Sequence, residues 1–528
     1  MRRTSMWFTG LFGSLLAVNL GSMAGCGGSS TSHFGDLDGG SGSGSGGGGS
    51  GGSSGGSGGS SGGSCGITGC SSSSSGGGSD SGATVCPPGL QCNVPCSGGA
   101  TTSISGTVLD PGGKNGLYDI AVYVPAAPLQ ALPQGVPTGA DACNCSALFK
   151  SGAVVSAATG VDGSFRLTNV PVGDVSLVLQ VGKWRREVQV KTTACTDTKP
   201  SMPLTLPGTL AGAGPNDSMP EIAVSTGAAD TLECLMQRIG IPASEYVNGA
   251  GGSGHVHIFS GGSNGVTGGA PEQPGWGAPG SDTSLWDAQA HLMPYDILLL
   301  SCEGAETYNA NPAVLESYLN AGGRAFSSHF HYSWFSGPLS SGQGYTAPAD
   351  WGNALAAWSP GIGGGGSGQA NGKIVQTLNG SAQPFAKGQA LYQWLGLENA
   401  LGVLGAPPME LPMVPPRYNA VVSAGNKPSQ PWVVDDSRPN TMYFSFDTPV
   451  NAAPGPSGQP AYCGRAVFSD LHVSGDQLDP VGSGGSATCD ARALSPQEKA
   501  LEFMLFDLSS CVIPDSVPPS DAGVPIAQ

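Results

Sequence analysis

The chain has 528 residues and a formal net charge of −17, with 20 Lys and Arg against 37 Asp and Glu. Its 88 glycines and 42 prolines, with only 11% charged residues, describe folded domains plus a low-complexity stretch, not one globular body. The acidic balance, with no basic cluster to offset it, excludes nucleic acid as the main partner, and no apolar run reaches the 18 residues of a membrane span.

Arg2 and Arg3 precede an apolar run from Trp7 to Leu20, long enough for a signal-peptide core and too short to cross a bilayer. Met23-Ala24-Gly25-Cys26 follows. Small residues before a single Cys resemble the lipobox of bacterial lipoproteins, where cleavage before the Cys accompanies acylation of its thiol. The resemblance implies a signal peptide over 1–25 and a lipid on Cys26. Gly27 stands where an Asp retains lipoproteins at the inner membrane, so it also implies delivery to the outer membrane or cell surface. From Gly27 to Val85, 25 Gly and 20 Ser fill 45 of 59 positions. Such a segment buries too little apolar area to offset its ordering entropy. Residues 26–85 are therefore expected to be a disordered tether with an r.m.s. span of roughly 40 Å.

A Cys-rich segment, 86–100, leads into a run of short strands over 101–206. Ile104 to Asp110 alternates and turns at Pro111-Gly112-Gly113; Ile120 to Val124 is a second strand. Asp162-Gly163 turns into a strand that sets Phe165 and Leu167 on one face, and Val175, Leu177, Leu179 and Val181 alternate strictly. Strands at this spacing without helical period predict a small all-β sandwich. Gly106-x-Val108-x-Asp110, Val122-x-Val124, Thr159-x-x-Asp162-Gly163-x-Phe165-x-Leu167 and Val170-Pro171-x-Gly173 resemble the carboxypeptidase regulatory-like domain, a transthyretin-like sandwich of the carbohydrate-binding-like superfamily. That resemblance implies binding or spacing, not catalysis. Asp110 and Asp162 are read as turn formers.

Residues 215–512 alternate strands with helices. Glu221–Val224, His255–Phe259, Tyr295–Leu300, Arg324–Ser328 and Arg465–His472 read as strands. Helices are expected over 230–239, over 311–320 and from Ser495, where Ser495 caps and Pro496 takes the first helical position. The continuous apolar run at 297–300 marks a parallel strand buried on both faces, and the whole predicts an α/β doubly wound (flavodoxin-like) domain. Tyr295 to Leu300, a helix, Gly322-Gly323 and a strand ending at Ser327-Ser328-His329 resemble class I glutamine amidotransferase-like folds, and among them the trehalose-utilisation (ThuA-like) group. In that family the strand after the paired glycines ends in a sharp turn bearing the nucleophilic Cys. Here Ser327, Ser328 or His329 takes that place. His472 matches the family's late histidine, but Ser474 stands where its acidic partner belongs, leaving Asp470 or Asp476 to orient it.

Sites in open α/β sheets form beyond the carboxyl ends of strands. The catalytic candidates are accordingly Ser328, His329, His472 and Cys302, and the metal-ligand candidates His329, His331 and His472. Cofactors are not expected, apart from a divalent metal at these histidines in the enzymatic reading. Thirteen cysteines remain after Cys26, an odd number that export turns into disulfides with one thiol left over. Cys302 is the expected free thiol. Cys463–Cys489 is expected to staple a late strand, and Cys234–Cys511 to join the first and last helices. Residues 513–528 read as a disordered tail. The functional expectation is a lipid-anchored binding or scaffold protein for carbohydrate or another envelope polymer, with a broken amidotransferase-like site. The alternative is a hydrolase or metal-dependent enzyme working at the His-rich crevice.

Overall fold

The computed structural model describes residues 86–227, 229–261, 280–360, 368–455, 458–473, 489 and 491–519. The signal, Cys26 and tether expectations lie outside these residues, as do Ser474, Asp476 and residues 520–528.

Eight strands build the first part. They are β1 (Ser103–Leu109), β2 (Ala121–Pro125), β3 (Ala153–Ala158), β4 (Ser164–Thr168), β5 (Gly173–Val181), β6 (Trp184–Thr192), β7 (Asp197–Thr198) and β8 (Leu204–Thr205). One sheet joins β4, β1 and β7, with β8 also on β1; the other runs β3-β2-β5-β6. Alternation decides the packing. Ile104 and Val108 from β1 and Phe165 and Leu167 from β4 meet Val122, Val124, Val175, Leu177 and Leu179 in one buried cluster. The turn into β4 needs Gly163 at φ +75°, where an added Cβ would lie 2.5 Å from the Val108 carbonyl. Asp162 accepts the backbone N–H of Ser164 at 3.0 Å, and Asp110 accepts that of Lys114 at 2.7 Å. Both act as turn formers.

The second part is built on one large mixed sheet. Its strands are β9 (Ile222–Ser225), β10 (Tyr246–Asn248), β11 (Val256–Ser260), β12 (Gly280–Ser281), β13 (Ile297–Leu300), β14 (Arg324–Ser328), β16 (Ala370–Ile374), β17 (Leu411–Met413), β19 (Gln430–Asp435), β20 (Thr441–Thr448) and β21 (Gly464–Ser469). A separate small pair joins β15 (Ala357–Trp358) to β18 (Ala420–Val421). The large sheet runs β10-β11-β9-β13-β14-β21-β20-β19-β16-β17. From β10 through β21 the pairings are parallel; beyond β21 they are antiparallel. The parallel half carries the strand–helix alternation expected from the sequence, and the antiparallel strands beyond β21 make the sheet a mixed one.

Its two faces follow from period 2. Ile297 and Leu299 point with Ile222, Val224, Ile258, Phe326 and Val467 into one core; Leu298 and Leu300 point with Ala223, Phe259, Ala325 and Phe468 into another. The first core takes side chains from α1 (Leu232–Arg238), and the second takes them from α2 (Thr283–Trp286), α3 (Gln289–Leu292), α4 (Pro312–Asn320) and α5 (Tyr332–Ser336). Helices α6 (Ala386–Leu397) and α7 (Pro496–Ser509) also belong to the first core. The capping box of Ser495 and Glu498 starts α7, with both orphan N–H groups answered.

The sandwich and the mixed sheet share that first core; they are not separate bodies. Trp184 packs on Phe506 and Tyr118 stacks on Phe503 of α7, while the Trp394 indole of α6 donates to the Gly116 carbonyl at 2.6 Å. Covalent ties follow the same path. Among the described residues the disulfides are Cys86–Cys92, Cys96–Cys195, Cys143–Cys463, Cys145–Cys511 and Cys234–Cys489. The expected pairs Cys463–Cys489 and Cys234–Cys511 are therefore both corrected. Residues 141–148 lie against the chain near residues 463 and 511, which sets Cys143 and Cys145 beside those sulfurs. Cys302 is buried and unpaired. Five disulfides belong to an oxidising, extracytoplasmic setting. No helix among the described residues is long and apolar enough to cross a membrane. Asp515, which falls within the expected tail, pairs with Arg465 at 2.9 Å.

Candidate functional site

Strand order brings the candidates together. From β9 the chain passes to β11 on one side and later to β13 on the other, which places a crevice beyond their carboxyl ends. Registers Ser225↔Leu300, Leu300↔Ser327 and Ser328↔Ser469 level the ends of four neighbouring strands. Cys302 follows β13, His329 follows β14 and His472 follows β21. The Cys302 Sγ lies 3.3 Å from His329 Nδ1, and the His329 and His472 rings are 5.1 Å apart between centroids. One ligand atom from each of the three residues lies within 4.8 Å of the others. All three are buried, with exposures of 0%, 4% and 2%.

His329 has φ +44°. A left-handed residue between a strand and a helical turn is the conformation of a nucleophile elbow, and such strain is held only by its surroundings. Among Ser327, Ser328 and His329 the turn therefore falls on the imidazole. Ser328 is tied down instead, its Oγ accepting the Cys302 N–H at 2.9 Å and facing the Leu300 carbonyl at 3.4 Å. His331 is not part of the cluster. Its Nδ1 meets the Ser328 carbonyl at 3.2 Å and its Nε2 lies 3.4 Å from Glu303 Oε1. Asp470 Oδ2 accepts the Asn419 N–H at 2.8 Å, and no hydrogen bond joins Asp470 to His472 among the described residues.

Electrostatics set the protonation states. Burial pushes the Cys302 thiol up to about 12. Burial, then the charge of Arg417, pushes His472 down to about 3. Near neutral pH the cluster thus holds a thiol and an uncharged His472, not an ion pair of thiolate and imidazolium. Folded protein treated with a thiol reagent at neutral pH is accordingly expected to leave Cys302 unmodified until denaturant is added, as read by peptide mass. A free cysteine carries about three orders of magnitude more thiolate under those conditions. Rapid labelling of Cys302 in the native state would refute this account.

Sequence reasoning missed the residues that hold the cluster. Asp230 Oδ1 accepts the Val473 N–H at 2.8 Å, Gln497 donates to the His472 carbonyl, and the Ala229 N–H bonds the Cys302 carbonyl at 2.9 Å. A Cβ on Gly227 would sit 2.1 Å from that same carbonyl, so only glycine permits the approach. A polar residue just before a helix that follows a strand, as Asp230 is, was the available signal. Elsewhere, a cavity of about 410 Å³ lies beneath Lys114, Arg238, Arg492 and Lys499. Glu498 pairs with Arg238 and Arg492. No family model, curated protein or solved structure matches the chain.

Proposed function

We propose that this chain is an envelope-held binding or scaffold protein for a carbohydrate or another envelope polymer, not a hydrolase. One observation carries the reading: the nucleophile-and-base set at the strand ends is sealed, its thiol kept protonated and its elbow occupied by His329. An amidotransferase-type reaction needs an accessible thiolate beside an oriented imidazole, and no hydrogen bond from Asp470 orients His472 among the described residues. In this proposal Cys26 carries the lipid that holds the protein at the outer membrane or cell surface, and residues 26–85 tether it. Residues 101–206 then act as a transthyretin-like binding sandwich mounted on a ThuA-like, doubly wound body. The two-sheet packing of β1 to β8 supports the sandwich assignment, and the helices on both faces of the large sheet support the body.

The test uses the full chain extracted in detergent. Retention on peptidoglycan or on a defined glycan surface is expected, with no turnover in glutaminase, esterase or glycosidase assays. Turnover that His329→Ala and His472→Ala both abolish would overturn the reading in favour of a thiol-dependent hydrolase. That alternative draws on the 3.3 Å contact between thiol and imidazole.

A further inference from the structure

We infer that Cys302, His329 and His472 form a binding site for one thiophilic cation of the zinc(II) or copper(I) class. The inference stands independently of the polymer-binding reading, since it rests on the strand ends of the large sheet alone.

Geometry comes first. Zinc held by one sulfur at ~2.3 Å and two imidazole nitrogens at ~2.0–2.1 Å sets its ligand atoms roughly 3.5 Å apart. The sulfur and the His329 Nδ1 already stand 3.3 Å apart, and all three ligand atoms lie within 4.8 Å of one another. Binding an ion would draw the widest-spaced of these atoms together by ~1 Å. The donor set decides the class of ion. One thiolate and two imidazoles suit zinc and copper, whereas calcium and magnesium take oxygen ligands.

The surroundings fix the ligands as a metal site requires. Cys302 is held by Ser328 Oγ on its N–H and by the Ala229 N–H on its carbonyl. The residue after His472 is held by Asp230, and the His472 carbonyl by Gln497. Each ligand also ends a different strand of one sheet, so the backbone fixes their spacing. The Nε2 of His472 has no hydrogen-bond partner among the described residues, though the residue is only 2% exposed. Leaving a buried polar atom unmatched is unfavourable, and a cation bound at that nitrogen supplies the match.

Binding is a proton exchange without redox change. The sulfur–hydrogen bond of Cys302 breaks, a sulfur–metal bond forms, and the proton passes to solvent. The two imidazoles bind neutral through nitrogen lone pairs. One proton is thus released for each ion bound.

The full chain, stripped with a chelator, is loaded with cobalt(II) as a spectroscopic substitute for zinc. The expected result is one ion per chain, a sulfur-to-cobalt charge-transfer band, and displacement by zinc(II) or by copper(I). The arm that displaces at the lower concentration identifies the ion. Cys302→Ser is expected to abolish the band and His472→Gln to weaken binding by at least about tenfold, whereas Cys65→Ser with Cys70→Ser leaves both unchanged. Should the site variants fail to fold by circular dichroism, wild-type proton release decides the matter in their place. A band that survives Cys302→Ser, a cobalt spectrum with oxygen ligands only, or binding without release of about one proton would overturn the inference.

Discussion

Arg465→Met is expected to lower the free energy of unfolding by about 3–5 kcal/mol. Arg465 is the second residue of β21 and is 2% exposed. Its Nε bonds Asp447 Oδ1 at 2.7 Å and its Nη2 bonds Asp447 Oδ2 at 3.2 Å. It also meets Asp507 at 3.3 Å, Asp515 at 2.9 Å and the Ile513 carbonyl at 3.3 Å. Removing the guanidinium leaves three carboxylates facing one another, with Lys387 at 2.6 Å from Asp507 as a remaining ion-pair partner. An uncompensated buried charge, more than a lost attraction, sets the magnitude. Arg465→Lys keeps the charge but loses the two-pronged contact with Asp447, so a smaller loss is expected. Adding Asp447→Asn to Arg465→Met should recover part of the stability, because the two sites are coupled. Urea unfolding with an unchanged slope measures all three. A loss for Arg465→Met within the roughly 1 kcal/mol of an exposed ion pair would show that water reaches the network.

Stability is also expected to fall as pH rises from about 5 to 8. Burial pushes Asp119 up to about 7 and Asp470 up to about 8. Burial and the neighbouring Asp110 carboxyl raise Glu502 as well. Unfolded, these groups titrate near 3.8 or 4.5. The native state therefore holds extra protons above that range. Their contribution is complete below the unfolded values and is lost as pH climbs through the native ones. Each retained proton contributes a slope of about 1.4 kcal/mol per pH unit. Groups held below their ordinary values act the other way, Glu306 and His472 among them. Burial raises Glu306, but hydrogen bonds from Ser341, Tyr332 and Leu339 outweigh it and hold the carboxyl at about 2; His472 sits at about 3. Their contributions are present above 4.5 and 6.5 and fade as pH falls through the native values. Glu502→Gln keeps a donor for Asp110 and should remove about one proton's share of the alkaline slope. Unfolding free energies measured across this range check the sign. Stability that rises from pH 5 to 8 would contradict it.

How much of this was legible beforehand depended on what kind of physics wrote each feature. The run at 297–300 declared β13 because a strand buried on both faces has no polar positions to alternate. Ser495, Pro496 and Glu498 declared the start of α7 because helix ends need local donors and acceptors answered. His329 and His472 were found together because sites gather at strand ends. The antiparallel extension was not read. Helix α6 carries glycines at 388 and 396, and all eight residues of β20 are buried, so neither shows a clean period. Pairing among cysteines was illegible too, since it depends on which loops meet in space and not on spacing along the chain. His331 failed for a related reason: one residue beyond the elbow and its neighbour, the helical turn aims its ring at Glu303.

The long-range disulfides impose a timetable on maturation. Cys143 and Cys145 wait for partners 320 and 366 residues downstream, and Cys234 waits for one 255 residues away. A chain delivered amino end first presents these thiols long before their counterparts arrive. Bonds made in the interval, between Cys143 or Cys145 and whichever sulfur is nearest, are provisional and must be exchanged. The native covalent network is therefore a late product. Yield in any host then depends on thiol exchange in the compartment where folding ends, more than on how quickly the hydrophobic core first collapses.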